Sequence, residues 1–187
     1  MKKYRLKRSS MLNAQQIIEE GLLKLENTKG KPAQIGYDLS LKAVNRIGSA
    51  GVYYPETGQY KSGKIGKVLK DRTELAEYTP INTIKMDEIE GWLLYAGAYD
   101  VVFHEGCQIP DNRVGRIRQR SSLLRNGTLL HSSVFDPGFA TNEIGTVIVV
   151  YETIFIEKDA RIAQMYFDEC APADKYDGQW MHDKQRK

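Results

Sequence analysis

Apolar residues near the start of the chain recur at the spacing of a short amphipathic helix. Between residues 12 and 25 they are Leu12, Ile17, Ile18, Leu22, Leu23 and Leu25. Their separation by about four or five positions places most of them on one helical face. Asn13 can cap the start of such a helix, and Gly21 can mark its end. The pattern therefore predicts a short N-terminal helix at about residues 12–25.

The pattern changes to strict alternation from residue 34 onward. Ile35, Tyr37, Leu39 and Leu41 alternate with small or polar residues, as in a strand with one buried face. Further strand candidates follow, separated by turn residues, at 91–95, 99–104, 113–118, 128–134, 144–155 and 161–167. Many short strands with frequent turns predict a mainly β fold of the barrel or sandwich type. Residues 171–187 are polar without periodicity, which predicts a flexible C-terminal tail.

Length and composition narrow the class of protein. The chain has 187 residues, which fits a single domain spanning 1–187. Its net charge of +3 is too small to argue for nucleic-acid binding by bulk electrostatics. No apolar run approaches the roughly 18–20 residues that cross a bilayer, so we expect no membrane partner. Cys107 and Cys170 lack metal-binding spacing and are typical of thiols in a reducing compartment, so we expect a cytoplasmic protein.

Two arginines and two serines stand together just after the strand candidate at 113–118. Guanidinium groups bind phosphate oxygens through paired donors, and serine hydroxyls add further donors. Arg120, Ser121, Ser122 and Arg125 could thus form a phosphate cradle at the end of the strand. The alternative is a capped turn whose arginines face solvent, and the residue types alone do not separate the two.

A lone carboxylate, Asp136, lies in a turn between two strand candidates. Asp-Pro-Gly is a common turn sequence, so a purely structural role is the ordinary interpretation. The apolar strand before the turn and Phe139 after it favour a second interpretation, in which the carboxylate is a general base for a water molecule. Phe139 itself could pack against a sugar or enter the core.

Further side chains suit a ligand with several phosphates. Asp38, on the polar side of a strand, could hold a hydrated Mg²⁺ ion or could simply be solvated. Gln164 can donate and accept together, which suits a base edge or a phosphate, although an edge-strand role is equally simple. Lys175 and Gln179 lie in a tail segment with Gly178, and such a tail could close over a ligand or stay disordered.

Four segments resemble, in order, the motifs of the superfamily of trimeric dUTP diphosphatases and dCTP deaminases. They are Gly36-Tyr37-Asp38-Leu39, residues 115–127 with Arg120-Ser121-Ser122-Leu123, residues 134–139, and Arg161-Ile162-Ala163-Gln164-Met165. The early helix, the segment 109–115, Arg125 and the tail at 175–179 are typical of the deaminase branch. The glycine-rich tail motif of the diphosphatases is absent. The resemblance implies a dUTPase-like distorted β-barrel of jelly-roll type that assembles as a homotrimer.

One position departs from the deaminase pattern. In the deaminases, the strand after Asp-Pro-Gly carries a glutamate that shuttles protons during attack of water on the cytosine ring. That register falls here on Thr146 or Val147, or on Val149 if a short insertion precedes it. None of these can move a proton as a carboxylate does, and Glu143 and Glu152 match neither register. Trimeric diphosphatases carry an apolar residue at this place.

The resemblance also implies a catalytic role for several candidates. Asp136 would deprotonate the attacking water, with Arg125 and Ser121 as further catalytic residues. The side chains that would bind the phosphates share cationic or hydrogen-bonding groups and are Arg120, Ser122 and Gln164. A Mg²⁺ ion would bridge the phosphates, with Asp38 as its outer-sphere contact.

Other candidates would bind the base, the sugar and the closed triphosphate. The hairpin at 130–135, including Ser133, would bind the pyrimidine, and Phe139 would lie under the deoxyribose. Lys175 and Gln179 would close over the triphosphate. These roles follow from the resemblance, and the active sites would lie between subunits as in the family.

The first hypothesis is therefore hydrolysis of a pyrimidine deoxynucleoside triphosphate in nucleotide metabolism, with dUTP giving dUMP and diphosphate. A related nucleotide such as dCTP is an alternative substrate. Deamination of dCTP, with Glu143 or Glu152 as proton relay in an unfamiliar register, is the second hypothesis. A catalytically weak nucleotide-binding or regulatory protein is the third. The products formed from dCTP and from dUTP distinguish the three.

Overall fold

The computed structural model describes residues 11–48, 52–53, 73–74 and 78–176. The helices are α1 (Ala14–Glu19) and α2 (Ser121–Arg125). The strands are β1 (Leu23–Lys24), β2 (Lys31–Pro32), β3 (Tyr37–Ile47), β4 (Val52–Tyr53), β5 (Thr73–Glu74), β6 (Tyr78–Pro80), β7 (Ile84–Met86), β8 (Ile89–Leu94), β9 (Gly97–Phe103), β10 (Gly106–Gln108), β11 (Arg113–Gln119), β12 (Thr128–His131), β13 (Ala140–Thr141), β14 (Gly145–Val150), β15 (Ile154–Glu157) and β16 (Arg161–Glu169). The mainly β fold expected from the alternation is confirmed. Among these described residues, no helix is long and apolar enough to cross a membrane.

The largest sheet is antiparallel and has the strand order β11-β16-β3-β9-β14-β12. The long strand β3 pairs in addition with β2 near its start and with β6 near its end. Two smaller sheets have the orders β1-β10-β13 and β15-β8-β7, and β4 pairs with β5. The large sheet is nearly closed into a barrel, so its inner face encloses the core.

The core consists of the inward-facing side chains of these strands. Leu39, Leu41, Phe103, Ile148 and Phe167 are fully buried. Burying one such side chain contributes about 1.5–3 kcal/mol. Along β14 the buried and half-buried residues alternate, as the period of a strand requires. The alternation read from the sequence therefore decides which face of each strand meets the core.

The N-terminal helix is shorter than the predicted span of 12–25. The Asn13 side chain accepts from the Gln16 N–H at 2.9 Å, and the Gln16 side chain accepts from the Asn13 N–H at 3.0 Å, which caps α1. After α1, Gly21 has a φ of +64°, a conformation that favours glycine and ends the helix. The apolar residues beyond Gly21 are buried through β1, which pairs with β10, and not through a continued helix.

Two predicted strands also have different bounds. The span 144–155 forms two strands, β14 and β15, because the chain turns at the exposed residues 151–153. β14 pairs with β9 and β12, whereas β15 pairs with β8 in another sheet. The span 128–134 forms a strand only as far as His131, and the following residues are an exposed loop.

The described part of the C-terminal tail, residues 171–176, lies against the body of the protein. The Ala173 N–H donates to the Asp111 carbonyl at 3.2 Å, and the Tyr176 N–H donates to the Pro137 carbonyl at 2.7 Å. Residues 177–187 lie outside the described residues, so the flexible tail stays a prediction.

Arg113 links the start of β11 to the end of α1 through hydrogen bonds to Glu20. Its Nε and Nη2 atoms each donate to the Glu20 carboxylate at 3.0 Å. This hydrogen bonding to Glu20 raises the pKa of the Arg113 guanidinium above its ordinary value. The short N-terminal helix is thereby tied to the strand that leads to the candidate phosphate residues.

Glu105 is a fully buried carboxylate that joins the loop before β2 to β3. Ser40 donates to it from its backbone N–H at 2.9 Å and from its hydroxyl at 2.7 Å. The Thr28 hydroxyl donates to the same carboxylate, as does the Gly30 N–H at 3.2 Å. A buried charge is costly without such donors. These hydrogen bonds therefore fix the loop onto the strand that carries Asp38.

Replacing Glu105 by alanine is expected to lower the free energy of unfolding by about 3 kcal/mol, because the buried N–H and hydroxyl groups of Ser40 lose their acceptor. Urea unfolding at a fixed protein concentration measures the change. Glu143→Ala is the matched control, since it removes a carboxylate from a surface pair with Lys42 that contributes at most about 1 kcal/mol. Equal losses in the two variants would contradict the prediction.

Candidate active site

The first group of candidate residues lies where β11 ends and α2 begins. This Arg120 group consists of Arg120, Ser121, Ser122 and Arg125. Arg120 is extended, with φ −74° and ψ 150°, and the next residue starts the helix. Leu123 is buried and anchors α2, so Ser121 and Arg125, four positions apart, lie together on its exposed side. Ser122 is exposed as well. Within the described chain, the two serine hydroxyls and the Arg125 guanidinium make no hydrogen bond or ion pair, so they are available to a ligand.

Asp38 lies beside this group and is paired with Arg120. Nη1 of Arg120 is 3.6 Å from Oδ2 of Asp38 and donates to the Arg161 carbonyl at 3.3 Å. Asp38 is only 5 % exposed, so its charge needs the neighbouring cation. Gln164 is directly opposite Asp38 in the pairing of β16 with β3, which puts both side chains on one face. The fold thus brings together three residues that are far apart in the sequence.

Asp136 lies in a turn that is held near the other end of β11. Phe135 forms an isolated bridge with Gly115 through hydrogen bonds of 2.9 Å in both directions. A Cβ at position 115 would lie 3.1 Å from the Phe135 Cβ and 2.7 Å from the Met165 Cε, so a side chain there would crowd the bridge and displace Met165. The Asp136 carboxylate is exposed, and it makes no hydrogen bond or ion pair with any other described residue.

Phe139 packs between two aromatic rings. Its centroid is 5.6 Å from that of Phe135 and 5.4 Å from that of Tyr176, both in edge-on geometry. The Tyr176 N–H is bonded to the Pro137 carbonyl, and Lys175 is exposed next to it. The start of the tail therefore lies against the turn that carries the candidate base.

The two groups lie at opposite ends of β11. The β12 backbone is hydrogen-bonded to Gln119 at one end, and Phe135 bridges Gly115 at the other. Arg120 is five residues beyond Gly115, which is about 16 Å at roughly 3.3 Å per residue. Asp136 follows the bridge in the opposite direction, because the two segments are antiparallel. Within one chain, Asp136 therefore does not lie beside the Arg120 group.

The remaining candidates lie in exposed segments. Ser133 is in the loop after β12, and its carbonyl accepts from the Ser132 hydroxyl at 2.9 Å. Lys175 lies beside the Asp136 turn. Gln179 lies outside the described residues, and its role stays a prediction.

An open cavity of about 730 Å³ borders the same turn. Gly138, Lys175, Glu20 and Asp111 are among the residues that line it. Its volume is within the usual range for small-molecule sites, about 300–1,000 Å³. None of the Arg120 group lines it, so this space belongs to the Asp136 end of the molecule.

Strand β14 carries no carboxylate at the positions where deamination would need one. Thr146 is buried, and its hydroxyl donates to the His131 carbonyl. Val147 is opposite His131, and Val149 is opposite Leu129. Each register considered for the missing glutamate thus places an apolar side chain or a satisfied hydroxyl on this strand.

Glu143 and Glu152, the two glutamates nearest to β14 in the sequence, lie outside that strand. Glu143 precedes β14 and forms an ion pair with Lys42. Glu152 is exposed in the turn after β14, and no hydrogen bond or ion pair joins it to another residue of the described chain. It lies five residues past Val147, which is about 16 Å at roughly 3.3 Å per residue along an extended chain.

A divalent cation would find few protein ligands at this site. In the described ranges, no group of three or more Asp, Glu, His or Cys side chains is arranged to hold a metal. Asp38 is one carboxylate, and it is already paired with Arg120. Mg²⁺ retains several waters and is usually bound by one or two carboxylates together with substrate phosphates. The donor set therefore fits an ion that enters with a triphosphate and contacts Asp38 through water.

Gln119 is a candidate positioning residue that the sequence patterns did not single out. Its Nε2 donates to the Thr128 carbonyl at 3.0 Å, and its Oε1 accepts from the Leu130 N–H at 2.7 Å. β12 ends the order of the large sheet, so these backbone groups would otherwise be unpaired. Gln119 stands one residue before Arg120 on the core-facing side of β11. A half-buried amide needs hydrogen-bond partners. The signal in the sequence was therefore a glutamine at a core-facing position of the alternating strand pattern.

A sequence model of the dCTP deaminase-like family matches residues 10–170. A probable deoxyuridine 5′-triphosphate nucleotidohydrolase of Halobacterium salinarum is 33 % identical over 130 residues, which cover 67 % of this chain and 75 % of the relative. The deoxyuridine 5′-triphosphate nucleotidohydrolase of Methanocaldococcus jannaschii is 39 % identical over 101 residues, covering 54 % of this chain and 62 % of the relative.

The fold is similar to that of the 2′-deoxycytidine 5′-triphosphate deaminase from Agrobacterium tumefaciens, with a TM-score of 0.57. The match covers 87 % of this chain at 14 % sequence identity, so it concerns the fold alone. The chain spans about half the length of that deaminase chain, since the match covers 49 % of it. The expected distorted barrel is confirmed by this likeness.

Gln119→Leu is expected to speed amide hydrogen exchange at Leu130 by about five- to tenfold, because the N–H loses a hydrogen bond of about 1 kcal/mol. Hydrogen exchange followed by NMR measures the rate. Gln119→Glu is the matched control, since it keeps an acceptor for Leu130 but has no donor for the Thr128 carbonyl. An unchanged Leu130 exchange rate in Gln119→Leu would show that Gln119 does not stabilise β12.

Proposed function

The chain belongs to the dCTP deaminase-like family, and we propose that within this family it hydrolyses dUTP to dUMP and diphosphate, as a cytoplasmic homotrimer that uses Mg²⁺. The names of the archaeal relatives support the substrate, because they are dUTP nucleotidohydrolases. The observation that carries the choice of reaction is the absence of a carboxylate on β14. Hydrolysis at phosphorus has no need of that group, whereas deamination needs a proton relay at the base.

Asp136 is the proposed general base. Its carboxylate is exposed and has no partner among the described side chains, so it is free to accept a proton from water. The water oxygen attacks the α-phosphorus as the bond from that phosphorus to the bridging oxygen breaks. Diphosphate leaves, and the proton of the water passes to Asp136. A base of this kind contributes about 10²- to 10⁴-fold to the rate.

The Arg120 group is the proposed phosphate site. Ser121 and Arg125 share the exposed side of α2, where they can donate to the same phosphate oxygens. Arg120, Ser122 and Gln164 add donors around them. Donors that are in place before the reaction stabilise the charge that develops on the leaving diphosphate.

Asp38 is the proposed outer-sphere contact for Mg²⁺. The single buried carboxylate beside Arg120 suits a contact through water better than direct ligation. When bound to the triphosphate, the ion would neutralise part of its negative charge. The residues of the chain then orient the phosphates, and Asp136 accepts the proton.

The Asp136 end of the molecule is the proposed base and sugar site. The exposed loop with Ser133 offers backbone groups and a hydroxyl to a pyrimidine. Phe139 offers a ring to the deoxyribose, and Lys175 and Gln179 supply donors for the triphosphate from the tail. Tyr176 lies edge-on against Phe139, so the tail starts close to the sugar position.

Assembly as a homotrimer would unite the two groups. Since Asp136 and Arg120 lie at opposite ends of β11, a site that uses both takes them from different subunits. Rotational symmetry brings opposite ends of neighbouring copies together around a closed ring. This separation is the structural support for active sites between subunits.

Deamination of dCTP is the second candidate, supported by the description of the matching family. It would require Glu143 or Glu152 as the proton relay. The ion pair with Lys42 engages Glu143, and Glu152 lies in a distant exposed turn. Both positions favour hydrolysis over deamination.

Asp136→Asn is expected to lower kcat for dUTP by at least about a hundredfold, because the amide is no base, while nucleotide affinity stays nearly unchanged. Steady-state release of diphosphate with Mg²⁺ and calorimetric binding of dUTP measure the two quantities. Full activity of this variant would remove Asp136 from the mechanism.

The same assay with dCTP tests the second candidate. Hydrolysis predicts a monophosphate and diphosphate from the accepted nucleotide, and it predicts wild-type rates in Glu143→Gln and Glu152→Gln. Formation of dUTP from dCTP, with loss of that activity in either glutamine variant, would establish deamination instead. Binding of nucleotide without turnover would support a regulatory protein.

Subunit mixing tests the shared active site. Asp136→Asn and Arg125→Ala are each expected to be inactive, but trimers assembled from equal amounts of both are expected to regain about a quarter of the wild-type activity, because some sites then combine two intact contributions. Refolding the two variants together and assaying dUTP hydrolysis measures the recovery. Mixing each variant with itself is the control. No recovery in the mixture would place both residues of a site in one chain.

A further inference from the structure

A row of four side chains crosses the outer face of the large sheet. Arg118 is opposite Gln164, Gln164 is opposite Asp38, and Asp38 is opposite Lys31. Residues directly opposite in antiparallel strands have their side chains on the same face. The row therefore runs from β11 across β16 and β3 to β2, with a cation at each end.

Arg120 joins this row from its side. It stands two positions after Arg118, and its extended backbone continues the alternation of β11, so the two side chains share one face. Its guanidinium is 3.6 Å from the Asp38 carboxylate at the centre of the row. The row and Arg120 thus contain three cations, Arg118, Arg120 and Lys31, and one buried carboxylate, which leaves two positive charges in excess.

Arg118 and Lys31, at the two ends of the row, form no ion pair with a described carboxylate, unlike a neighbouring arginine. On the same face of β11, Arg116 forms an ion pair with Asp168. Arg118 and Lys31 are exposed, and neither has an ion pair with any residue in the part of the chain that the structure describes. Two unpaired cations at the ends of the row that contains Gln164 and Asp38 attract an anion with several charges.

We propose that Arg118 and Lys31 extend the phosphate site and bind the terminal phosphates of the triphosphate. The inference rests on the proposed function, since it assigns the β- and γ-phosphates of that substrate to this row. The strand spacing of about 4.8 Å puts Lys31 about 14 Å from Arg118, so the two long side chains can approach one chain of phosphates from opposite sides. Arg118 can donate in pairs to phosphate oxygens, whereas Lys31 supplies a point charge.

Binding of inorganic triphosphate in the absence of metal tests the row directly. Arg118→Ala and Lys31→Ala are each expected to weaken calorimetric binding by about tenfold, since each removes charge-assisted hydrogen bonds to phosphate. Affinity for dUMP, which lacks the terminal phosphates, is expected to stay within about twofold. Lys158→Ala is the control, because it removes one positive charge as the two test variants do. Lys158 is exposed and forms an ion pair with Glu90 away from the row.

The outcomes separate this inference from the proposed function. Triphosphate affinity within twofold of wild type in both variants, or no binding by the wild-type protein, would overturn the role of the row. Equal losses in Lys158→Ala would overturn it as well, since they would reflect net charge alone. Weaker triphosphate binding in a protein that does not hydrolyse dUTP would support the row and refute the hydrolase. Thermal unfolding followed by circular dichroism confirms that the exposed substitutions leave the fold intact.

Discussion

The antiparallel register of β11 with β16 is the constraint on which the candidate site depends. It turns Arg118 and Arg120 outward and Ile117 toward the core. A shift of one residue would reverse these faces, and burial of the core opposes it. Because packing fixes the register, it also fixes what lies at each end of β11, namely α2 with its serines and the bridge that holds the Asp136 turn.

Among the residues that the structure describes, the two buried carboxylates, Glu105 and Asp38, have different partners. Glu105 is satisfied by neutral donors from the backbone and from two hydroxyls, so it stabilises a loop and takes no part in the proposed chemistry. Asp38 is instead balanced by Arg120, with further cations in its row. A neutral hydrogen-bond network is complete without a ligand, whereas a surplus of cations around one carboxylate favours binding of an anion. This contrast supports a structural role for Glu105 and the proposed role of Asp38 at the phosphate site.

Much of the fold could be predicted from alternation, because burial of one strand face leaves a direct trace in the residue pattern. The strand at 113–118 and the turn at Asp136 are examples, and the mainly β fold followed from them. The end of α1 was predicted too late, since the apolar residues after Gly21 suit a helix or a strand and only pairing with β10 decides. Gln119 was missed because its role depends on the unpaired edge of β12, a feature of the assembled sheet.

By itself the sequence determined the chemical inventory of this protein: the run of arginines and serines at 120–125, the lone Asp136, and the apolar or hydroxyl residues where a deaminase has its glutamate. Residue type alone decides whether a side chain can donate, accept a proton or carry charge. Only the tertiary structure decided which of these groups meet. It joined Asp38, Arg120 and Gln164 through strand pairing and kept Asp136 at the far end of β11, because an extended strand is rigid and has a fixed length.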